Sequence, residues 1–293
     1  MNWRRGLSTV QLAGWVAALS ACSGLPWSSP HERIIDLTTG HEISCAELAR
    51  LAQGSDYALL GEQHDQPAHH QRRGALMAQV QAGLQAPMAV VAEHLPRGAR
   101  VVFGDDLLVS LKTAGFRAEA WDWPVHEALF ASVATAGGVL TGGNLQEAEL
   151  RSVLKQGPPA LPAPLQALLA VAPLDATAQA ALDADLTAAH GGTIPAPRLQ
   201  AMRWAQRARD ASMLTALQAT GVHPAVLVAG NGHVRQDYGV PQLLRAAQPS
   251  ARVLSVGLVS LGQLDGWDAR PYSHLWVVDT TQPQRACGDD PLR

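Results

Sequence analysis

Residues 57–70 read YALLGEQHDQPAHH, an apolar run that leads into a polar loop and then into a helix start. The run 57–60 has the length and composition of a strand that is buried on both faces. Pro67 suits the first turn of a helix, and Asp65 is predicted to cap that helix. A strand, a loop and a helix in this order are typical of an α/β sheet.

The same alternation of strands and helices continues along the chain. Further strands are predicted from the apolar runs at 88–92, 138–141, 225–229, 252–259 and 274–279, and helices are predicted at 67–82, 101–113, 127–134, 145–155, 197–219 and 240–247. A Pro-rich break followed by an Ala- and Leu-rich stretch indicates a helical insertion at about 157–196. The predicted fold class is therefore α/β, with a largely parallel central sheet flanked by helices and an Ala-rich helical insertion.

Composition excludes two broad classes of protein. The chain has 293 residues, of which 47% are hydrophobic and 16% charged, so it is not an intrinsically disordered protein. The formal net charge is −3, and Lys112 and Lys155 are the two lysines. Binding to nucleic acid needs a clustered basic surface, and the sequence has no run of Lys or Arg. We therefore expect no nucleic-acid partner.

The amino terminus has the pattern of a secretion signal. Arg4 and Arg5 precede a short apolar stretch that ends in Leu19-Ser20-Ala21-Cys22, which resembles the lipobox of bacterial lipoproteins. We predict a signal peptide at 1–21, a lipid on Cys22, a tether at 22–31 and one α/β domain at 32–293. The alternative is a plain signal peptide with an incidental cysteine.

The two remaining cysteines are Cys45 and Cys287. A secreted chain enters an oxidising compartment, where such a pair can form a disulfide. The sequence equally allows two separate buried thiols, because it does not show that the sulfur atoms meet.

Polar, glycine-flanked segments follow four of the predicted strands. They are Gly61-Glu62-Gln63-His64-Asp65, Glu93-His94, Gly142-Gly143-Asn144 and Gly230-Asn231-Gly232-His233. Ligands of open α/β sheets bind beyond the carboxyl ends of the strands. We therefore predict a ligand-binding crevice formed by Glu62, His64, Glu93, Asn144, Asn231 and His233. His69 and His70 fall inside the next helix and are predicted on its solvated face.

Several motifs resemble, in order, the ChaN-type haem-binding lipoproteins of the superfamily that includes Tiki metalloproteases and erythromycin-esterase-like hydrolases. They are Leu59 to His70, Glu93-His94, Trp123 with Gly143-Asn144, His190-Gly191 with Ile194-Pro195, Ala205 to Met213, and Gly230 to Arg235 with Gly239-Val240-Pro241. The resemblance covers about residues 33–280. It implies an outer-membrane lipoprotein that faces the periplasm, acts in haem or iron uptake, and binds haem, in some members between two subunits of a homodimer.

Haem binding requires ligands for the iron and partners for the propionates, which identifies further candidate residues. Its iron needs an axial ligand, for which His64 and His233 are suitable, and Tyr238 follows the second. Arg207 and Arg235 are candidates for contacts with the haem propionates. The chain has no Cys-x-x-Cys-His, so a covalently attached c-type haem is excluded.

Two other classes of function stay open at this point. Glu62, His64, Glu93 and His233 could hold a divalent metal whose bound water is activated, as in a metal-dependent hydrolase. The sequence lacks Gly-x-Ser-x-Gly and His-Glu-x-x-His, which excludes the commonest serine hydrolases and zincins. The third class is a scaffold whose crevice serves only as a groove for a partner.

Overall fold

The computed structural model describes residues 31–281, in which eight strands form one sheet in the order β2-β1-β8-β7-β3-β6-β4-β5. The strands are β1 (Arg33–Asp36), β2 (Glu42–Ile43), β3 (Tyr57–Leu60), β4 (Ala89–Pro96), β5 (Val139–Asn144), β6 (Ala225–Val228), β7 (Val253–Ser260) and β8 (His274–Val278). The six strands from β8 to β5 are parallel, whereas β1 is antiparallel to both of its neighbours. The predicted α/β fold with a largely parallel sheet is confirmed.

Helices cover both faces of this sheet. They are α1 (Cys45–Gly54), α2 (Pro67–Ala82), α3 (Leu107–Thr113), α4 (Glu127–Thr135), α5 (Glu147–Gln156), α6 (Ala163–Val171), α7 (Ala176–Ala189), α8 (Ala196–Ala219), α9 (Asn231–Val234) and α10 (Val240–Ala247). One hydrophobic core lies between the sheet and helices α1, α2 and α4, which we call the α2 face. A second core lies between the sheet and helices α5, α6, α8 and α10, which we call the α8 face. Because both faces are covered, β3 and β6 are buried along their whole length.

Two local predictions about helix starts were wrong. The helix predicted from Val101 begins at Leu107, because the backbone N–H of Val101 donates to Leu140 and Asp106 caps the later start by accepting from the N–H of Val109 at 2.9 Å. Asp65 does not cap α2. The loop before α2 is held instead by the side chain of a residue within α2.

That side chain is His69, whose Nδ1 accepts from the N–H of Gln63 at 3.1 Å. The residue at the cap position of α2 is Gln66, and its side chain makes no capping hydrogen bond. His69 and His70 are fully buried, so their prediction on a solvated face was also wrong.

The predicted insertion consists of a short turn at Pro158–Ala160 followed by α6 and α7. Leu165 of α6 is buried in the core of the α8 face. Ala178 and Leu182 of α7 pack against Tyr238 in a smaller cluster. The insertion therefore supports the sheet from the α8 face. Within residues 31–281, no helix combines the length and the apolar character that a membrane crossing requires.

Several predictions fall on the two ends of the chain. The predicted signal peptide, Cys22 and Cys287 lie outside the described residues. Cys45, the first residue of α1, is disulfide-bonded. Its pairing with Cys287 stays a prediction.

Candidate functional site

The strand ends predicted to line the crevice meet where β6 lies between β3 and β4. Two backbone hydrogen bonds join the three strand ends. The N–H of Gly230, just after β6, donates to Glu93 Oε2 of β4 at 2.9 Å, and the N–H of Asn231 donates to the carbonyl oxygen of Glu62 at 2.9 Å. The sheet topology therefore brings Glu62, Glu93 and the segment after β6 together at one edge.

Glu93 and His94 of β4 belong to different groups of side chains. Successive residues of a strand point to opposite sides of the sheet. His94 packs against Phe130 of α4, on the α2 face, whereas Glu93 meets His233 on the α8 face. The residues predicted to line the crevice therefore fall into two adjacent groups, one on each side of the strand ends.

The first group surrounds the buried carboxylate of Glu62, and we call it the Glu62 cluster. It comprises Glu62, His64, His70, Arg73, His94 and His126. Glu62 Oε1 lies 2.5 Å from His64 Nδ1, 3.1 Å from His94 Nε2 and 3.7 Å from His126 Nε2. Its second oxygen, Oε2, contacts the guanidinium of Arg73.

Burial shifts the pKa values of four members of the Glu62 cluster. Burial lowers the pKa of Arg73 to about 9, so its guanidinium is protonated at neutral pH. Burial also lowers the pKa of His70 to about 4 and moves the pKa values of His94 and His126 well below the ordinary histidine range. These three imidazoles are therefore neutral at pH 7, and each has a nitrogen lone pair.

Some nitrogens of the Glu62 cluster lack a hydrogen-bond partner although they are buried. They are both ring nitrogens of His126, Nδ1 of His94 and Nε of Arg73. His126 is enclosed by other rings, with centroids 4.0 Å from that of His70 and 4.4 Å from that of His94. A buried polar atom without a partner costs about 1–3 kcal/mol. Such atoms in a folded protein call for a specific explanation.

His64 is the exposed member of the Glu62 cluster, with 47% of its side chain accessible to solvent. Its Nδ1 donates to Glu62 Oε1, which leaves Nε2 as the nitrogen that can offer a lone pair. The ring of Trp121 lies edge-on to it at 5.1 Å. A Cβ atom at Gly230 would lie 3.0 Å from Nε2, so glycine at this position keeps the approach to that nitrogen open.

The second group, which we call the His233 triad, comprises Glu93, Asp210 and His233. His233 Nδ1 donates to Asp210 Oδ1 at 2.6 Å, and Nε2 lies 3.2 Å from Glu93 Oε1. Burial opposes a charge on His233, but the two carboxylates raise its pKa to about 10. The positive charge of His233 lowers the pKa of Glu93 against the effect of burial. Both ring nitrogens of His233 are therefore protonated at pH 7.

A protonated His233 has no lone pair with which to bind a metal or haem iron. The four metal ligands predicted from the sequence thus divide between the two groups, with Glu93 and His233 held in an internal ion pair. The residues with ligand atoms within 4.8 Å of one another are Glu62, His64, His94 and His126.

The two predicted asparagines hold backbone in place. Asn144 donates to the carbonyl oxygen of Glu93 at 2.9 Å, at the end of β5. The side chain of Asn231 exchanges two hydrogen bonds with the backbone of Leu258, at 2.7 and 3.0 Å. Both residues therefore fix the strand ends that carry the site.

The three predicted haem contacts have partners within the chain. Arg207 donates to the carbonyl oxygen of Tyr238 and to that of Ala172, both inside the α8 face. The hydroxyl of Tyr238 donates to Asp185 at 2.5 Å, and Arg235 pairs with the same carboxylate at 3.0 Å. These contacts anchor α7 of the insertion, and none of the three residues is offered to a ligand.

Sequence reasoning left several residues out of the predicted site. His70 was missed because it was predicted on the solvated face of its helix, and Arg73, a polar residue of the same helix, was not considered for the site. His126 precedes α4 and Asp210 lies within α8, so neither follows a strand. The alternation of side chains along β4 could have assigned His94 to the side of the sheet opposite Glu93.

Comparisons with known proteins identify the family. A family model described as haem-binding uptake, Tiki superfamily, ChaN matches residues 48–244, which is more than half of the chain. No match was found among the curated proteins.

A solved structure shows the same fold. The structure of ChaN of Campylobacter jejuni with cofacial heme binding has a TM-score of 0.70 at 16% identity, and the match covers 85% of this chain and 97% of that one. A mutant of the erythromycin esterase EreC in its open conformation reaches a TM-score of 0.36 at 13% identity, covering 79% of this chain and 78% of that one. With the family model matched across both groups of the site, the chain belongs to the haem-binding uptake family of the Tiki superfamily that includes ChaN.

Proposed function

We propose that this chain is a lipid-anchored protein of the bacterial cell envelope that binds haem for uptake, with His64 as the axial ligand of the iron. The proposal rests on one observation, the solvent accessibility of His64 combined with its hydrogen bond to Glu62. It is the accessible histidine of the site, and its Nδ1–H is held by the buried carboxylate of Glu62. A carboxylate in this position fixes the ring and increases the basicity of Nε2.

The other residues of the site fit haem in distinct ways. Bound haem would supply the iron that accepts the lone pair of Nε2. Trp121, edge-on to His64, offers an aromatic surface beside the ligand. Arg73 does not reach solvent, and its guanidinium contacts the carboxylate of Glu62 and donates to His70 Nδ1 at 2.8 Å. The His233 triad keeps Glu93 bonded to the backbone of Gly230, which borders His64.

Replacing His64 with alanine is expected to weaken haem binding by at least about 100-fold, because losing a direct ligand costs more than the 10–100-fold typical of an outer-shell partner. The measurement is a haem titration followed by the Soret band. His64→Tyr should retain binding with a shifted Soret band, since tyrosinate is another axial ligand of haem iron. The exposed His41→Ala is the matched control. An unchanged affinity and spectrum in His64→Ala would contradict the assignment.

The lipid anchor is the second part of the proposal, and it rests on the lipobox-like Leu19-Ser20-Ala21-Cys22. Cys22→Ser is expected to move the protein from the membrane fraction to the soluble fraction. Each buried methylene contributes about 0.8 kcal/mol, so two or more acyl chains anchor a protein stably. Ser28→Ala in the tether is the control. Cys22→Ser protein that still requires detergent for extraction would count against lipidation. Placement in the outer membrane facing the periplasm, and a homodimer, belong to the same proposal.

The alternative of a metal-dependent hydrolase keeps one supporting observation, the spacing of ligand atoms in the Glu62 cluster. Its sequence-based version used His233, whose ring nitrogens lie against Asp210 and Glu93 in the His233 triad. The ligand atoms close enough together to share one ion are those of Glu62, His64, His94 and His126.

A further inference from the structure

We propose that Glu62, His64, His94 and His126 form a site for one divalent transition-metal ion of the zinc class. Zinc binds nitrogen and oxygen ligands at about 2.0–2.1 Å, which places the ligand atoms of a tetrahedral site about 3.3 Å apart. The distances from Glu62 Oε1 to the three nearest imidazole nitrogens are 2.5, 3.1 and 3.7 Å. All four ligand atoms lie within 4.8 Å of one another, so one ion could bind them after small movements of the side chains.

The unpartnered Nε2 of His126 points independently to a ligand. His126 is 1% exposed, and this nitrogen has no hydrogen-bond partner although it lies 3.7 Å from Glu62 Oε1. A metal at this point would accept the lone pair of Nε2. His94 would bind through its own Nε2, which lies 3.1 Å from Glu62 Oε1.

The donor set selects the class of ion. Three imidazoles and one carboxylate suit Zn²⁺, Co²⁺ and Fe²⁺, whereas Ca²⁺ and Mg²⁺ require mostly oxygen ligands. Arg73 contacts Glu62 Oε2, whereas the three nitrogens are those near Oε1. Arg73 would act as an outer-shell partner that orients the carboxylate, and His70 Nδ1 accepts from its guanidinium at 2.8 Å.

Metal and haem iron would compete for His64, a step that rests on the proposed function. A neutral imidazole has one lone pair. With the proton on Nδ1, His64 can bind haem iron through Nε2. With a metal on Nδ1, the proton moves to Nε2 and the lone pair for haem iron is lost. An ion in the Glu62 cluster would therefore reduce the affinity for haem.

The metal site is tested by equilibrium dialysis of the full chain in detergent against Zn²⁺ alone, and by the visible absorption of Co²⁺, which is intense for a tetrahedral ion. We expect one ion per chain. His126→Phe should weaken Zn²⁺ binding by at least about 100-fold, because it removes a direct ligand. This variant loses no hydrogen bond, so it should fold as the wild type does. His274→Gln, at a buried histidine on β8, is the matched control and should bind Zn²⁺ normally.

Two results would overturn the metal site: no Zn²⁺ bound by the wild type, or equal binding by His126→Phe. Competition between the metal ion and haem is measured separately, by haem titrations with and without Zn²⁺. We expect Zn²⁺ to weaken haem binding in the wild type and to have no effect in His126→Phe. If Zn²⁺ binds as proposed but haem binding is unaffected in the wild type, the metal site stands and the ligation of haem iron by His64 is wrong.

Discussion

Arg73→Leu is expected to destabilise the protein by about 3–5 kcal/mol, the usual cost of removing one partner from a buried ion pair. The guanidinium of Arg73 is fully buried and contacts the equally buried carboxylate of Glu62. It also donates to the carbonyl oxygen of Leu60 at 3.3 Å and to His70 Nδ1 at 2.8 Å. Leucine leaves Glu62 with a charge that no cation compensates. The measurement is urea unfolding, read from the midpoint at constant slope.

Two further variants separate the buried charge from lost packing. Glu62→Gln combined with Arg73→Met removes both charges with little change in volume, and it should recover much of the lost stability. Arg151→Leu breaks an exposed pair with Glu147 and should cost no more than about 1 kcal/mol. A loss below about 1 kcal/mol in Arg73→Leu would show that Glu62 is not held as a buried charge.

The sequence predicted the elements of the fold well, because the apolar runs of a parallel sheet and the proline at a helix start are local signals. Helix α2 and helix α10 begin and end where the pattern placed them, at Pro67–Ala82 and Val240–Ala247. The error at α3 arose because a backbone hydrogen bond to β5 keeps Val101 out of the helix. Such a bond joins distant parts of the chain, and no local pattern shows it.

Part of the site was predicted because the polar segments that follow the strands are also a local signal. Strand order brings Glu62, His64, Glu93 and His233 to one edge, and the glycine-flanked strand ends indicated this. The sequence did not show which polar side chains are buried in the core beside the carboxylate of Glu62. His70 and Arg73 are typical of an exposed helix face until Glu62 is placed opposite them, and that requires the packing of α2 on the sheet.

Loss of Asp210 should both lower stability and change its dependence on pH. The pKa of His233 is raised from 6.5 to about 10 by Glu93 and Asp210. A raised pKa contributes stability that is fully present below pH 6.5 and is lost as the pH rises toward 10. In the wild type, deprotonation of His233 should therefore lower the free energy of unfolding by up to roughly 1.4 kcal/mol per pH unit across that range.

Asp210→Asn keeps a hydrogen-bond acceptor for His233 Nδ1 but removes one of the two charges that raise its pKa. We expect a loss of about 3 kcal/mol at pH 6, the lower end for breaking a buried pair, and a shallower decline between pH 7 and 10. Asp183→Asn, in a partly exposed pair with Arg203, should cost under about 1 kcal/mol and leave the pH profile unchanged. Comparing the profiles of wild type and variant isolates His233 from other groups that titrate in this range. Parallel profiles for wild type and Asp210→Asn would mean that Asp210 does not hold the proton on His233. The triad would then position Glu93 through hydrogen bonds alone.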